Sequence, residues 1–152
     1  MQPAESEPLD WTVRLFVYRY IAEHGRPPTV THTADGLRLD PHQAQTAYER
    51  LHNCHALFLE PGTDRIRMAH PFSGVPTPFR VQTHGHTYFA NCAWDALGIP
   101  AMLRADATID ATCSDSREAI RLRVEDDVVL GHGELIHFAL PFRRWYENLI
   151  FT

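Results

Sequence analysis

A chain of 152 residues has room for one sizeable domain or two small ones, and 44% hydrophobic with 22% charged residues is an ordinary globular balance. A formal charge of −5 gives no electrostatic case for nucleic acid, and no apolar run approaches the roughly 18 residues of a membrane span. The acidic, proline-containing start, Met1 to Asp10, does not read as a signal peptide, so the expected location is the cytoplasm. Three cysteines, Cys54, Cys92 and Cys113, lack the paired spacing of a disulfide framework, which leaves them free for chemistry. All fourteen basic residues are Arg, a mark of genomic base composition rather than function.

In chain order, residues 11–24 predict a helix with a stripe of Trp11, Leu15, Tyr18 and Ala22, ended by Gly25-Arg26-Pro27-Pro28. Val30 to Gly36 predicts a short second helix stopped by its glycine. Asp40-Pro41-His42-Gln43 is a strong helix start, with Asp40 as N-cap, Pro41 in the first turn and Gln43 reaching back. Ala44, Tyr48 and Leu51 then form the buried stripe of a third helix. Leu57-Phe58-Leu59 and Arg65-Ile66-Arg67-Met68 flank a Pro-Gly turn and predict a β-hairpin. Three helices and a hairpin make a winged-helix-like arrangement, but the third helix carries no basic cluster. A structural or lid-like role is expected of it, not DNA reading.

Residues 71–79, with three prolines and a glycine, predict an irregular linker. The expected domains are therefore 1–70, winged-helix-like, and 80–152, β-rich, and the expected class is α+β. In the second half Phe79–Gln82 and His86–Ala90 pair across a tight turn. A helix starts near Cys92, Gly98-Ile99-Pro100 breaks it, and Ala101–Arg104 resumes it. Thr108–Cys113 alternates, with Ile109, Ala111 and Cys113 on the inward face, and Ile120–Val124 alternates with Arg121 and Arg123. Asp126-Asp127 is a turn, Glu134–Leu140 a strand, Pro141–Glu147 a short helical piece, and Leu149-Ile150-Phe151 the start of another strand.

The most informative feature is Cys92 with Asp95, three residues apart where a strand runs into a helix. Residues i and i+3 share a helix face, so a thiol and a carboxylate come side by side. Free N–H groups at the helix start favour negative charge and draw the thiol towards thiolate. A soft thiolate beside a proton-carrying carboxylate suits capture of a soft electrophile or metal with proton transfer next to it.

These residues carry a resemblance. Tyr88-Phe89-Ala90-Asn91-Cys92-Ala93-Trp94-Asp95-Ala96-Leu97-Gly98-Ile99-Pro100-Ala101 is similar to the active-site strand and helix of the alkylmercury (organomercurial) lyase family. Pro71 to Phe79 looks like that family's linker, and the winged-helix-like front half is a family trait. The resemblance implies that Cys92 is the first mercury-binding thiolate, Asp95 the proton shuttle and Cys113 a structural cysteine. It implies no cofactor, because the mercury at Cys92 belongs to the substrate. The implied partners are a small organomercurial or other soft electrophile and small thiols, with no nucleic acid and no membrane. Phe72, Phe79, Phe89 and Trp94 are the expected lining for the organic group. The family also uses a second catalytic cysteine, expected beyond Thr152, so this chain reads as truncated just short of it or as a member without it.

Two other readings stay open. A related fold could use the thiol, the carboxylate and His84, His86, His132 or His137 on a metabolite that contains no mercury. Alternatively, a winged helix in front and a thiol behind could form a thiol-based regulator.

Overall fold

The structure is a computed structural model, and it describes residues 8–138 and 140–147. The class is mixed α+β, as expected. The chain divides into two compact units between Pro76 and Thr77. None of the described helices is long and apolar enough to cross a membrane.

The first unit opens with α1 (Pro8–His24), whose buried stripe is Asp10, Val13, Val17 and Ile21. The predicted stripe is therefore one residue out of phase, and Trp11 and Leu15 stand half exposed. The helix is apolar nearly all round, so periodicity alone leaves its rotation ambiguous. Two side chains resolve it. Asp10, fully buried, takes the fork of Arg50, with Nε at 3.0 Å from both carboxylate oxygens and Nη2 at 2.7 Å from one. A charge at that depth is tolerated because it is paired and hydrogen-bonded. Arg14 lies over the rings of Trp11 and Tyr18, giving Trp11 a partner outside the core.

Helix α2 (Val30–Leu37) starts on Thr29, whose side chain caps His32 while His32 reaches back. It ends one residue beyond the predicted Gly36, through Arg38 in the left-handed conformation (φ 55°). Gly36 serves packing instead, since a Cβ there would lie 2.4 Å from the Phe16 ring. Helix α3 (Pro41–Asn53) carries the predicted capping box of Asp40 and Gln43 and buries Ala44, Ala47, Tyr48 and Leu51. The Tyr48 hydroxyl meets Thr33 Oγ1 at 2.7 Å, and burial pushes its pKa up to about 12.

The predicted hairpin forms from β1 (Phe58–Leu59) and β2 (Ile66–Ala69). Beyond it, Phe72–Ser73 forms a third strand, β3, antiparallel to β2, where an irregular linker was expected. The prolines flank this pair rather than interrupt it, so the ladder donors survive and Gly74 N–H reaches Arg67 C=O at 2.7 Å. Gly74 must be glycine, because a Cβ would sit 2.1 Å from the Ile66 carbonyl oxygen.

In the second unit β4 (Arg80–Thr83) and β5 (His86–Ala90) pair around His84 (φ 51°) and Gly85 (φ 76°), a two-residue turn whose twist suits a hairpin. The sheet continues through β6 (Ala107–Thr112), β7 (Ala119–Glu125) and β8 (Val128–Leu130), in the order β5-β4-β6-β7-β8, antiparallel throughout. Strand β8 was not anticipated; it follows the predicted turn at Asp126 and Asp127, both at positive φ.

Val81, Tyr88, Ala90 and Ile109 share one buried sheet face, and α4 (Ala93–Leu103) packs there through Ala96, Ile99 and Pro100. The predicted break at Gly98-Ile99-Pro100 does not occur. Pro100 removes one helix bond, at about 3 kcal/mol in an exposed helix interior, and burial of Ile99 and Pro100 against the sheet offsets it.

The predicted strand at Glu134–Leu140 does not form. Residues 134–138 are irregular and exposed, with Leu135 at 94%, and no strand among the described residues pairs with them. Phe142–Glu147 forms a 3₁₀ helix where a short helical piece was expected. The strand expected at Leu149–Phe151 lies outside the described residues.

Candidate functional site: a thiol and a carboxylate at one helix start

Among the described residues three helix starts have a defined cap, and that of α4 differs from the other two. Thr29 and Asp40 are oxygen caps with complete reciprocal boxes. Cys92 caps α4 with sulfur, accepting the Asp95 backbone N–H at 3.5 Å from an extended backbone (φ −150°, ψ 178°). Ser, Thr, Asp and Asn are the residues preferred there, each worth about 1 kcal/mol over Ala. A weak sulfur acceptor at a position that rewards oxygen breaks a local rule, and such breaks gather at functional sites.

The cap fixes the geometry of the pair. Asp95 is the third residue of the helix, so its own N–H anchors the Cys92 sulfur and its carboxylate lies on the same side of the first turn. The carboxylate acts on the thiol both by charge and by side-chain hydrogen bonding. Its Oδ2 accepts a hydrogen bond from Asn91 Nδ2 at 3.1 Å. Sequence reasoning passed over Asn91, although a polar amide four residues before the carboxylate was a legible signal.

Strand β5 delivers Asn91 and Cys92 to this place. Ala90 is pinned twice, its N–H donating to Phe79 C=O at 3.0 Å and its C=O accepting from Thr77 Oγ1 at 2.6 Å. The chain therefore leaves the sheet on a fixed path directly into the cap.

The expected drift of Cys92 towards thiolate is corrected. Burial pushes the Cys92 thiol up, and the Asp95 charge and side-chain hydrogen bond push it the same way, against the lowering effect of the Asp95 and Trp94 backbone N–H groups. The helix start is present, but desolvation outweighs it. The thiol is half-buried, with the Asp95 carboxylate beside it.

The position of Cys113 also differs from expectation. It lies just past β6 in a partly exposed turn rather than on the inward face. Its sulfur accepts the Ser116 N–H at 3.4 Å, and the Ser116 side chain and backbone donors hold its pKa below the ordinary thiol value. Cys54 caps the end of α3, donating to Leu51 C=O at 3.4 Å, a packing arrangement.

The four expected aromatic residues have different settings. Phe72 belongs to the first unit and is buried there against Tyr18. Phe79 is half-buried at the start of the second unit. Phe89 pairs with Arg80, on the sheet face opposite Tyr88 and α4. Trp94, between Cys92 and Asp95 in sequence, is 60% exposed and leans on Phe138, which stacks on Trp145.

Among the described residues no three His, Cys, Asp or Glu side chains are grouped to hold a metal ion. His84, His132 and His137 are exposed, and His86 stands edge-on to Tyr88. A groove of about 700 Å³ in the first unit, between α3 and the β1–β2 loop, is lined by Gln45, Glu49, His52 and Asp64 among others and contains no thiol.

Comparison with known proteins shows the family of the chain. Alkylmercury lyases of Bacillus cereus and Staphylococcus epidermidis are 36% and 38% identical over 56 residues, 37% of this chain and 26% of each relative. The matched stretch thus spans about a quarter of those proteins. The crystal structure of the mercury-bound form of MerB2 superposes with a TM-score of 0.69 at 20% identity, covering 84% of this chain and 61% of that one, a likeness of fold. The alkylmercury lyase family model matches residues 72–149, half of the chain and the whole of the Cys92–Asp95 segment, and the chain therefore belongs to the alkylmercury lyase family.

Proposed function

We propose that this chain captures an organomercurial at Cys92 and that Asp95 carries the proton that releases the organic group. The observation that supports this most is the sulfur-capped helix start, with the carboxylate acting on the thiol, in a chain of this family. As the mercurial arrives, the thiol passes its proton to Asp95 and the sulfur bonds to mercury, displacing the anionic ligand that the organomercury group carried in. Soft sulfur ligation weakens the carbon–mercury bond. That bond then breaks, its electron pair stays on carbon, and carbon takes the proton from Asp95. Mercury(II) remains on Cys92 and on a second thiolate, which a small thiol from solution supplies. Mercury enters as substrate, so the chemistry asks for no resident cofactor.

A thiol with a raised pKa fits this sequence of events, because the proton delivered to carbon is the one Cys92 gives up. The three helices and hairpin of the first unit then have a structural, winged-helix-like role, and detoxification in the cytoplasm is the setting that suits the reaction. The test is phenylmercury incubated with the chain and excess dithiothreitol. Benzene is the expected product, with one phenylmercury adduct on Cys92 by mass spectrometry, and Asp95→Ala keeps the adduct but loses the benzene. An adduct on another cysteine, or benzene from Asp95→Ala at the wild-type rate, overturns the reading.

A further inference from the structure

We propose that Asn91 is the positioning residue for the Asp95 carboxylate, its side-chain amide holding one oxygen so that the carboxylate stays turned towards the Cys92 thiol. The role assigned to Asp95 rests on the reading above; the placement of Asn91 does not.

The geometry is specific. Asn91 lies one residue before the sulfur cap and Asp95 three residues after it, so their side chains bracket Cys92. Asn91 Nδ2 donates to Asp95 Oδ2 at 3.1 Å. In the complete boxes of α2 and α3 the third helical residue, His32 or Gln43, bonds back to the N-cap backbone N–H. At α4 an amide side chain engages that third residue instead. An aspartate otherwise has free rotation about two bonds, and one that must accept a proton from sulfur and return it to carbon gains most from being held in a single orientation.

Asn suits the task physically. Its amide donates without carrying charge, so it orients the carboxylate without adding a counter-ion that would compete with the thiol. On the sheet face covered by α4 the titratable groups are His86 and Tyr88 of β5. Arg80, Asp110 and Arg121 lie on the opposite face, where Arg121 pairs with Asp110 at 2.6 Å. On α4 itself the titratable groups are Cys92 at the cap and Asp95, with Arg104 at the far end.

The test compares the wild type with Asn91→Leu, similar in shape but without the donor, and with Asn91→Gln, which keeps it. Three-bond couplings of Asp95 need no substrate. They are expected to report one χ1 rotamer in the wild type, averaging in Asn91→Leu and partial restoration in Asn91→Gln. In single turnover with phenylmercury and dithiothreitol, Asn91→Leu is expected to keep its affinity for capture and to release benzene about ten- to a hundredfold more slowly, the penalty of a misplaced reacting group. An unchanged Asp95 rotamer, or undiminished benzene release, in Asn91→Leu overturns the proposal. If the couplings change as expected but the wild type releases no benzene, the lyase reading falls and the positioning of Asp95 by Asn91 stands.

Discussion

Cys92 and Cys113 share one local device and come out as opposite thiols. Each is half-buried, each ends or follows a strand, and each sulfur accepts the backbone N–H three residues on, at 3.5 Å from Asp95 and 3.4 Å from Ser116. Yet burial and the Asp95 carboxylate raise one pKa, while the Ser116 side chain and the turn's N–H groups lower the other. The N–H to sulfur motif therefore does not make a reactive site by itself. What surrounds it decides whether the sulfur becomes a less acidic thiol beside a carboxylate or a more acidic thiol at a partly exposed turn. The more acidic cysteine is not the one proposed to capture mercury. Protonolysis needs the proton as much as the sulfur.

The largest effect that bears on this contrast is mercurial affinity. Cys92→Ser is expected to weaken phenylmercury binding by about a hundredfold or more, because a hydroxyl is a poor ligand for a soft metal. Cys113→Ser is expected to leave it within about twofold, the range of an uninvolved surface change. Calorimetry on both variants in the presence of a competing thiol checks this, and equal losses would erase the distinction.

Alkylation by iodoacetamide, followed site by site with mass spectrometry, comes next. Only the thiolate reacts, so the rate at Cys113 is expected to rise at lower pH than the rate at Cys92. The reverse order would mean that the helix start outweighs burial after all. Asp95→Asn sharpens the same measurement: it removes the charge that helps to raise the Cys92 pKa, so the Cys92 profile is expected to move to lower pH while that of Cys113 stays in place.

The smallest effect is on stability. A thiol whose pKa is raised in the folded state favours folding fully below its unfolded pKa and loses that contribution as pH climbs through the folded value. Cys113, with a lowered pKa, works in the opposite sense over the ordinary thiol range. Cys92→Ser is therefore expected to lessen the decline of Tm on the alkaline side, and Cys113→Ser to steepen it slightly. Thermal melts between neutral and alkaline pH read the two slopes.

Much of this fold is written in local chemistry. The Asp40-Pro41-His42-Gln43 start needs only atoms within one turn, and the structure carries it unchanged. The pairing of β4 with β5 follows from alternation around a His-Gly turn, again a local signal. The Cys92–Asp95 juxtaposition is legible for the same reason, since three residues at a helix start leave few ways to arrange two side chains.

Readings failed where the answer depended on something distant in sequence. The rotation of α1 turns on a salt bridge from Asp10 to Arg50, forty residues away. The continuity of α4 through Pro100 depends on the sheet beneath it, and Gly36 is explained by the ring of Phe16 on another helix. The pKa of Cys92 belongs to the same group. Sequence supplied the helix start that would lower its pKa, but desolvation has no one-dimensional signature and is set by how much of the second unit closes around the sulfur. The sequence by itself determined that Cys92 and Asp95 stand side by side at a helix start. Tertiary structure decided the direction of the Cys92 pKa shift and the hydrogen bond from Asn91 to Asp95, because burial and side-chain hydrogen bonds are properties of packed neighbours rather than of spacing along the chain.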